Sequence, residues 1–340
     1  MLNVQIVLFD GFDLLDALAP YEVFCAAEMF ADCEMQVELV TAEGPRRVPS
    51  GTGGLTIEAG GRLNPTRKGI ILVPGASGKL EGEDPDAVPN LLARAANTGL
   101  NAKLKQALGV PDVVVAAVCG GSLVLAMGGL LEGRPVVTHQ LGMDVLGATG
   151  AVPVQARVVE DGNLVTGGGV TSGLDVALYL VDRELGPLIA HAVERLFEYE
   201  RRGTVWRNSG MALRREASDR RAQAARKETD LDRSATSSGG RNSVLDGDWD
   251  TLIATPIGKM AVRLHIAEVN GVIRGTATQG DEVSDFIDPV RKGNKLVWSQ
   301  RITKPMRLNL NFEATVDGDL MSGTAKAGIL PASRLTGRRL

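Results

Sequence analysis

The sequence predicts an α/β sandwich with a mostly parallel sheet, followed by an antiparallel all-β part that resembles a barrel. Three observations support this prediction. Up to about residue 205, short continuous apolar runs alternate with segments of helical spacing, which is typical of a sheet covered by helices on both faces. After residue 245, alternating runs are separated by short turns. Between these parts, residues 211–244 are rich in charge, glycine and serine.

In the first part, strands are indicated by apolar runs that end at glycine, proline or polar residues. Strands are predicted at Val4–Phe9, Met35–Thr41, Gly69–Val73 and Val113–Val118, and shorter ones at Pro135–Thr138, Ala156–Glu160 and Leu164–Thr166. Helices are predicted at Leu14–Phe30, Asn90–Leu108, Ser122–Leu131, Leu174–Leu185 and Leu188–Arg201. Because strands and helices alternate, a parallel sheet is expected.

The last part has the two-residue periodicity of half-buried strands. Eight strands are predicted, at Asp248–Thr255, Met260–Val269, Val272–Thr278, Val283–Val290, Lys295–Thr303, Met306–Val316, Leu320–Lys326 and Ser333–Arg339. Gln279-Gly280 and Asp317-Gly318 between them suit hairpin turns, since glycine adopts positive φ at little cost. Successive strands of this kind indicate an up-and-down barrel. Its interior either holds one small apolar ligand or is filled by its own side chains. Trp249, Trp298 and Phe312 are candidates to line an interior of either kind.

These patterns divide the chain into three segments. Residues 1–210 are expected to form the α/β domain, 211–244 a charged helix and Gly/Ser linker, and 245–340 the barrel-like domain. The charged segment contains acids among its bases, so we interpret it as a solvated helix; an arm that binds nucleic acid is the less favoured alternative. The β pattern of the last part leaves no segment for a helix-turn-helix.

Composition excludes several classes of protein. The formal net charge is −4, so no strong field attracts nucleic acid or an anionic membrane. The three cysteines, Cys25, Cys33 and Cys119, do not form a disulfide framework and lack the spacing of a zinc site. We therefore expect no metal and no cofactor. The N-terminus lacks a basic signal-peptide segment and no apolar run reaches transmembrane length, which favours a cytoplasmic protein.

The strongest chemical signal is VVVAAVCGGSLVLAMGGLL around Cys119. A buried strand ends at this cysteine, two glycines permit a tight turn, and an apolar helix follows, as in a nucleophile elbow. The N–H groups of the helix N-terminus are expected to lower the pKa of the thiol. We also expect Cys119 to be partly exposed in a cleft. The alternative is a small buried residue at a turn.

Two further segments support a site at this strand end. Asp16 lies within the apolar run Leu14–Leu18, and a carboxylate there needs a partner. That partner is either an active-site thiol or a backbone cap. The turn Val73–Gly78 contains Gly75 and Ala76, and its N–H groups are expected to face a developing anion. An ordinary strand-to-loop turn is the alternative.

Taken in order, these motifs resemble the ThiJ/PfpI superfamily over about residues 3–205. The resemblance runs through LFDGFDLLDALAPYEVF, ILVPGASG, VCGGSLVLAMGGLLEGRPVVTHQ and TGGGVTSGLDVALYLV. It is strongest to isonitrile hydratases and to the sensor domains of AraC-type regulators. It implies a flavodoxin-like sandwich, a homodimer, and a nucleophile, Cys119, that is hydrogen-bonded to Asp16.

The sequence departs from the family at two positions. Gly120 stands where relatives carry histidine or threonine after the cysteine, which disfavours protease activity. Gln140 follows Thr138-His139 where the family has tryptophan. The resemblance makes Cys119 and Asp16 the catalytic candidates and the backbone of Gly75 and Gly120 the oxyanion candidates. Four residues are substrate-binding candidates: Ala76, Gly121, His139 and Asp175.

Two classes of function remain open. In the first, the thiolate of Cys119 attacks an electrophilic carbon of a small molecule. The resemblance favours an isonitrile, which would yield an N-substituted formamide, and a glyoxalase-like reaction is the enzymatic alternative. In the second, the domain is a non-catalytic sensor of a ligand or of oxidation. In all of these, the partner is a small molecule, with no nucleic acid and no membrane.

Overall fold

The computed structural model describes residues 1–80, 84–210, 245–255, 258–269, 272–280, 282–302, 308–327 and 332–340. The charged helix and linker predicted at 211–244 lie outside these ranges, so the division into three segments stays a prediction. None of the described helices is long and apolar enough to cross a membrane.

The main sheet is mostly parallel, as predicted. Its eight strands are β1 (Leu2–Val7), β2 (Met35–Thr41), β5 (Gly61–Arg62), β6 (Gly69–Val73), β7 (Val113–Val118), β10 (Val158–Asp161), β11 (Leu164–Gly167) and β12 (Trp206–Arg207), in the order β12-β10-β11-β7-β6-β1-β2-β5. Strands β10 and β11 are antiparallel, and the other neighbouring pairs run parallel. The central strands β6 and β7 are buried along their whole length, which explains their continuous apolar runs. Two small ribbons complete this part: β3 (Arg46–Pro49) with β4 (Thr56–Ala59), and β8 (Pro135–Val136) with β9 (Val152–Pro153).

Seven α-helices occur in the described residues: α1 (Leu14–Phe30), α2 (Val88–Ala96), α3 (Leu100–Leu108), α4 (Gly121–Met127), α5 (Met143–Ala148), α6 (Ser172–Leu185) and α7 (Pro187–Phe197). Helices α1, α6 and α7 pack together, and α2, α3 and α4 form a second group. The single helix predicted at Asn90–Leu108 is wrong, because the chain breaks between α2 and α3. The Thr98 hydroxyl donates to the carbonyl of Ala95 at 2.7 Å and accepts from the N–H of Leu100 at 3.2 Å. From the connection between the helices it thus bonds to the end of α2 and to the start of α3.

A second sheet forms the C-terminal part. Its strands are β13 (Gly247–Thr255), β14 (Gly258–Val269), β15 (Val272–Gln279), β16 (Glu282–Asp285), β17 (Ile287–Lys292), β18 (Lys295–Ile302), β19 (Leu308–Asp317), β20 (Leu320–Ala327) and β21 (Ser333–Arg339). Their order is β16-β15-β14-β13-β21-β20-β19-β18-β17, and all neighbours are antiparallel. The strands that come first and last along the chain, β13 and β21, pair with each other. The sheet therefore curls into a nearly closed barrel, as predicted.

The barrel has nine strands where the sequence predicts eight. The run Val283–Val290 is split at Phe286, whose ring turns inward and whose N–H donates to the carbonyl of Gly275 at 2.8 Å. Asp288 adopts a φ of +47°, and Pro289 has no N–H for a strand ladder. This break makes β16 and β17 the two edges of the sheet.

The two parts have separate hydrophobic cores. They meet at α5, where Ala148 packs with the side chains of the barrel core. A guanidinium nitrogen of Arg301 on β18 also lies 2.8 Å from the carboxylate of Glu132, just before β8.

Candidate functional site

Cys119 lies at a sharp turn between β7 and α4. Its φ of +55° is unusual for a residue with a side chain, and such strain persists only where the surroundings hold it. Two hydrogen bonds do so. The N–H of Cys119 donates to the carbonyl of Gly167 at 3.1 Å, and the hydroxyl of Thr138 donates to the carbonyl of Cys119 at 2.7 Å. The predicted elbow is therefore present.

The two glycines after Cys119 differ in what surrounds them. A Cβ at Gly121 would lie 2.2 Å from the carbonyl oxygen of Val73, so no side chain fits there. A Cβ at Gly120 would lie 3.0 Å from a methyl group of Leu92 on α2, which is the end of a flexible side chain. Leu92 thus occupies the space into which a residue at position 120 would point.

Asp16 belongs to the first turn of α1. This helix is capped by Asp13, whose carboxylate accepts from the N–H groups of Leu15 and Asp16 at 2.9 and 3.2 Å. The Asp16 side chain is fully buried. Its Oδ2 accepts from the N–H of Gly75 at 2.9 Å, whereas its Oδ1 has no hydrogen-bond partner among the described residues.

Burial raises the pKa of Asp16 to about 8, and the charge of Asp13 acts in the same direction. The bond from Gly75 and the interaction with the Cys119 thiol oppose this shift but do not cancel it. The carboxyl therefore keeps its proton at neutral pH. A proton donor lies beside the thiol where the sequence suggested a carboxylate.

The expected environment of Cys119 is wrong in two respects. Its exposed fraction is 7 %, so the residue is buried and not partly exposed. Its pKa is raised, mainly because burial disfavours the thiolate. Once Asp16 has ionised, its carboxylate also repels the thiolate and raises the pKa of Cys119 further. The N–H of Gly120 faces the sulfur and lowers the pKa, but this one bond is outweighed by the loss of water.

Gly75 also has a different neighbour from the one expected. Its N–H is already engaged by Asp16 and does not face an empty anion site. A Cβ at this position would lie 2.7 Å from both Asp16 Oδ2 and the nitrogen of Gly120, and 3.2 Å from Cys119 Cβ. Gly75 is therefore the point where three site residues converge. Ala76 forms an isolated antiparallel bridge with Phe12.

His139 and Asp175 make structural contacts. The Nδ1 atom of His139 accepts from the N–H of Leu141 at 3.2 Å and caps a short 3-10 helix at Gln140–Gly142. Asp175 is buried, and its carboxylate binds the Arg157 guanidinium and the N–H of Arg202, each at 2.6 Å. Among the described residues, neither side chain hydrogen bonds to Cys119 or Asp16, and their roles toward a substrate stay predictions.

Sequence reasoning missed Thr138 and Leu92. Thr138 directly precedes His139, which is the more obvious candidate by residue type. The Thr138 hydroxyl supports the elbow through its hydrogen bond to the Cys119 carbonyl. Leu92 gives no signal of its own, because an apolar residue in an amphipathic helix predicts only burial.

Comparisons with known proteins agree on the first part of the chain. The sequence profile of the DJ-1/PfpI family matches residues 3–183. An isonitrile hydratase from Pseudomonas putida is 34% identical over 206 residues, covering 58% of this chain and 78% of that protein. The HTH-type transcriptional regulator CdhR from Pseudomonas aeruginosa is 27% identical over 193 residues, covering 56% of this chain and 53% of that protein.

The crystal structure of a ThiJ/PfpI family protein from Pseudomonas syringae aligns with a TM-score of 0.49 and 25% identity. The alignment covers 67% of this chain and 86% of that one.

Proposed function

The chain belongs to the DJ-1/PfpI family, and on that premise we propose that it is a cysteine-dependent hydratase that converts small isonitriles into N-substituted formamides. The observation that carries the proposal is the buried carboxyl of Asp16 beside the Cys119 thiol, with its pKa raised to about 8. The family includes enzymes and regulators, so family membership alone does not indicate an enzyme. The pair of Asp16 and Cys119 is what favours one.

A protonated carboxyl suits the chemistry of an isonitrile. The terminal carbon of R–N≡C is the basic atom of the molecule, and protonation there makes the same carbon electrophilic. Asp16 keeps a transferable proton at neutral pH, as a general acid must. A 2-oxoaldehyde would instead need a ready thiolate, and the raised pKa of Cys119 disfavours one.

In the first half of the reaction, Asp16 donates its proton to the isonitrile carbon. The Cys119 sulfur attacks this carbon, and the thiol proton passes to the Asp16 carboxylate. The product is a thioimidate, R–N=CH–S–Cys119, and Asp16 is again protonated. Because the thiol loses its proton only as the C–S bond forms, no free thiolate has to exist in the buried site.

In the second half, water adds across the C=N bond and gives R–NH–CH(OH)–S–Cys119. The C–S bond then breaks, and the hydroxyl proton goes to the departing sulfur. This releases R–NH–CHO and restores the thiol. The N–H of Gly120 faces the sulfur and is placed to stabilise the charge that develops there, while the N–H of Gly75 holds the Asp16 carboxyl in position.

The proposal is tested by incubating the full-length protein with cyclohexyl isocyanide and following the formamide by NMR. We expect turnover by the wild-type protein and none above background for Cys119→Ala, with Cys25→Ala as the matched control. No turnover of isonitriles by a correctly folded wild-type protein would contradict the proposal. In that case, an oxidation product confined to Cys119 would favour the sensor.

The homodimer implied by the family resemblance is part of the proposal. Light scattering of the purified protein tests it, with the mass of two 35.9 kDa chains as the expected result.

A further inference from the structure

The interior of the C-terminal barrel is unevenly filled. In one region, Trp298 is stacked between Phe286 and Phe312, with ring centroids 4.7 Å apart in both pairs. These rings are buried and leave little free volume between them. Along β18 the next inward residue after Trp298 is Gln300. At Gln300 the interior is no longer filled by the three stacked rings, and Gln300 lines a cavity.

A cavity of about 80 Å³ lies on the other side of Phe312. Its walls are mainly aliphatic, with Ile253, Val262, Leu264, Ala277, Leu310 and Leu335 among the lining residues. These six side chains are at most 8 % exposed. Protein interiors are normally close-packed, and voids larger than a water molecule are few. An apolar cavity of this kind gains little from water and is suited to an apolar occupant.

The cavity also reaches the surface. Val283 lines it and is 63 % exposed, so the enclosed space continues to the outside along the edge strand β16. An occupant can therefore enter without unfolding of the barrel.

Two of the residues that line the cavity are polar and buried, Thr251 and Gln300. The Thr251 hydroxyl already donates to the carbonyl of Val262 at 2.6 Å. Gln300 is only 3 % exposed, and its amide nitrogen donates to the hydroxyl of Ser284 at 2.6 Å. Both residues line the cavity. An amide has two N–H donors and a carbonyl acceptor, and among the described residues the Gln300 side chain uses one N–H, for Ser284. Mainly apolar walls with a small number of placed polar groups are typical of small-molecule sites.

The distribution of charge around the cavity disfavours an ionic ligand. The charged residues that line it are Glu282 and Arg301, one of each sign, and neither is fully buried. The deeper wall is aliphatic, and placing an unpaired charge against it is costly. Since a dry cavity of about 150 Å³ holds benzene, the enclosed part here accepts a body of roughly three or four heavy atoms.

We propose that the barrel is a binding site for a small uncharged molecule with a branched aliphatic body and an amide or similar hydrogen-bonding head. The body lies against Leu264, Leu335 and the face of Phe312. The head exchanges hydrogen bonds with Gln300. This site contains no cysteine and does not depend on the chemistry of Cys119.

The test uses isobutyramide as the probe and the full-length protein, with binding followed by saturation-transfer NMR. We expect saturable binding of isobutyramide and at least tenfold weaker binding of isobutyrate, which has the same body and a charged head. Ala277→Leu fills the cavity and should abolish binding. Ala261→Leu is the matched control, because Ala261 lies on the exposed side of β14. Gln300→Leu should remove the preference for the amide.

Loss of binding in Ala277→Leu with retention in Ala261→Leu supports the site. If Ala277→Leu lowers the melting temperature markedly, Ala277→Val gives the same comparison with less added volume. Absence of saturable binding to the wild-type protein would overturn the proposal. Binding that is unchanged when position 277 is filled would also overturn it, because the probe would then bind elsewhere.

Discussion

The Cys119 site and the barrel cavity are both enclosed by buried, mostly apolar groups, but they are packed in opposite ways. The backbone around Cys119 is tightly packed: a Cβ at Gly121 would lie 2.2 Å from a carbonyl oxygen, and one at Gly75 would lie 2.7 Å from Asp16 Oδ2. In the barrel, about 80 Å³ remains empty beside Phe312.

If both proposals hold, low polarity serves two purposes in one chain. Beside Cys119, burial removes water and thereby raises the pKa of the Cys119 thiol and of the Asp16 carboxyl. In the barrel, surroundings of the same kind enclose the cavity that we propose as a ligand site. Where packing is tight, desolvation shifts the pKa of buried groups. Where a cavity is left, the same apolar walls favour binding of a small molecule.

The largest expected effect comes from adding volume to each region. Gly121→Ala places a methyl group against the Val73 carbonyl and should lower the free energy of unfolding by about 3 kcal/mol or more. Ala277→Leu extends into empty space and should change it by less than about 1 kcal/mol. Gly120→Ala should fall between them, since its methyl group meets only the movable end of Leu92. Urea denaturation measures all three, and equal losses would show that the two regions are packed alike.

The second expected effect concerns pH. The folded protein holds the Asp16 proton up to about pH 8, whereas the ordinary pKa is 3.8. Between these values the folded state binds more protons than the unfolded chain. The stability from this group is therefore fully present below about pH 4 and is lost as pH rises through the folded pKa, by up to about 1.4 kcal/mol per pH unit.

Asparagine at position 16 cannot ionise, so Asp16→Asn should flatten this decline between pH 5 and 8. Asp13→Asn is the matched control, because asparagine also caps a helix and Asp16 still titrates. The measurement is the free energy of unfolding as a function of pH. Parallel curves for the wild type and Asp16→Asn would mean that Asp16 is ionised in the folded state.

The third effect rests on the proposed function. Leu92 borders Cys119 across Gly120, so Leu92→Ala should enlarge the substrate space. We expect kcat/KM for a bulky isonitrile, relative to a small one, to rise about tenfold. Leu91→Ala is the matched control, since Leu91 packs against Gly11 and Gly78 instead, and it should leave the ratio unchanged. An unchanged ratio in Leu92→Ala would place the substrate elsewhere.

The smallest effect is expected on separating the two parts. The described contacts between them include Ala148 and the Glu132–Arg301 ion pair, and an exposed pair of this kind contributes less than about 1 kcal/mol. A chain that ends at Gly210 should therefore fold, melt within a few degrees of the corresponding transition of the full protein, and retain any Cys119 turnover. An unfolded or inert truncated chain would show that the division into domains is wrong.

Much of the structure around Cys119 could be predicted from the sequence. The buried runs of β6 and β7 and the turn after Cys119 follow from local patterns, since two glycines after an apolar strand favour few other structures. The pairing of Asp16 with Cys119 was suggested by an acid in an apolar run. The family resemblance strengthened that suggestion.

The remaining features depend on tertiary packing. The helix N-terminus predicts a lowered pKa for Cys119, but the opposing effect of burial depends on elements distant in sequence. The barrel was predicted from its turns, whereas the break at Phe286 and the cavity beyond Phe312 depend on which side chains fill the interior. No local pattern specifies how well an interior is filled.

At neutral pH, Asp16 is expected to be a protonated acid beside the Cys119 thiol, and the proposed mechanism depends on this proton. Infrared difference spectroscopy of the protein with ¹³C-labelled aspartate tests this most directly, because a protonated carboxyl has a C=O stretching band that a carboxylate lacks. We predict such a band at pH 7 that disappears with a midpoint near pH 8 and is missing in Asp16→Asn. If the wild-type and Asp16→Asn spectra show no difference in this band at pH 6 to 7, Asp16 is ionised, and both the general acid and the mechanism built on it are excluded.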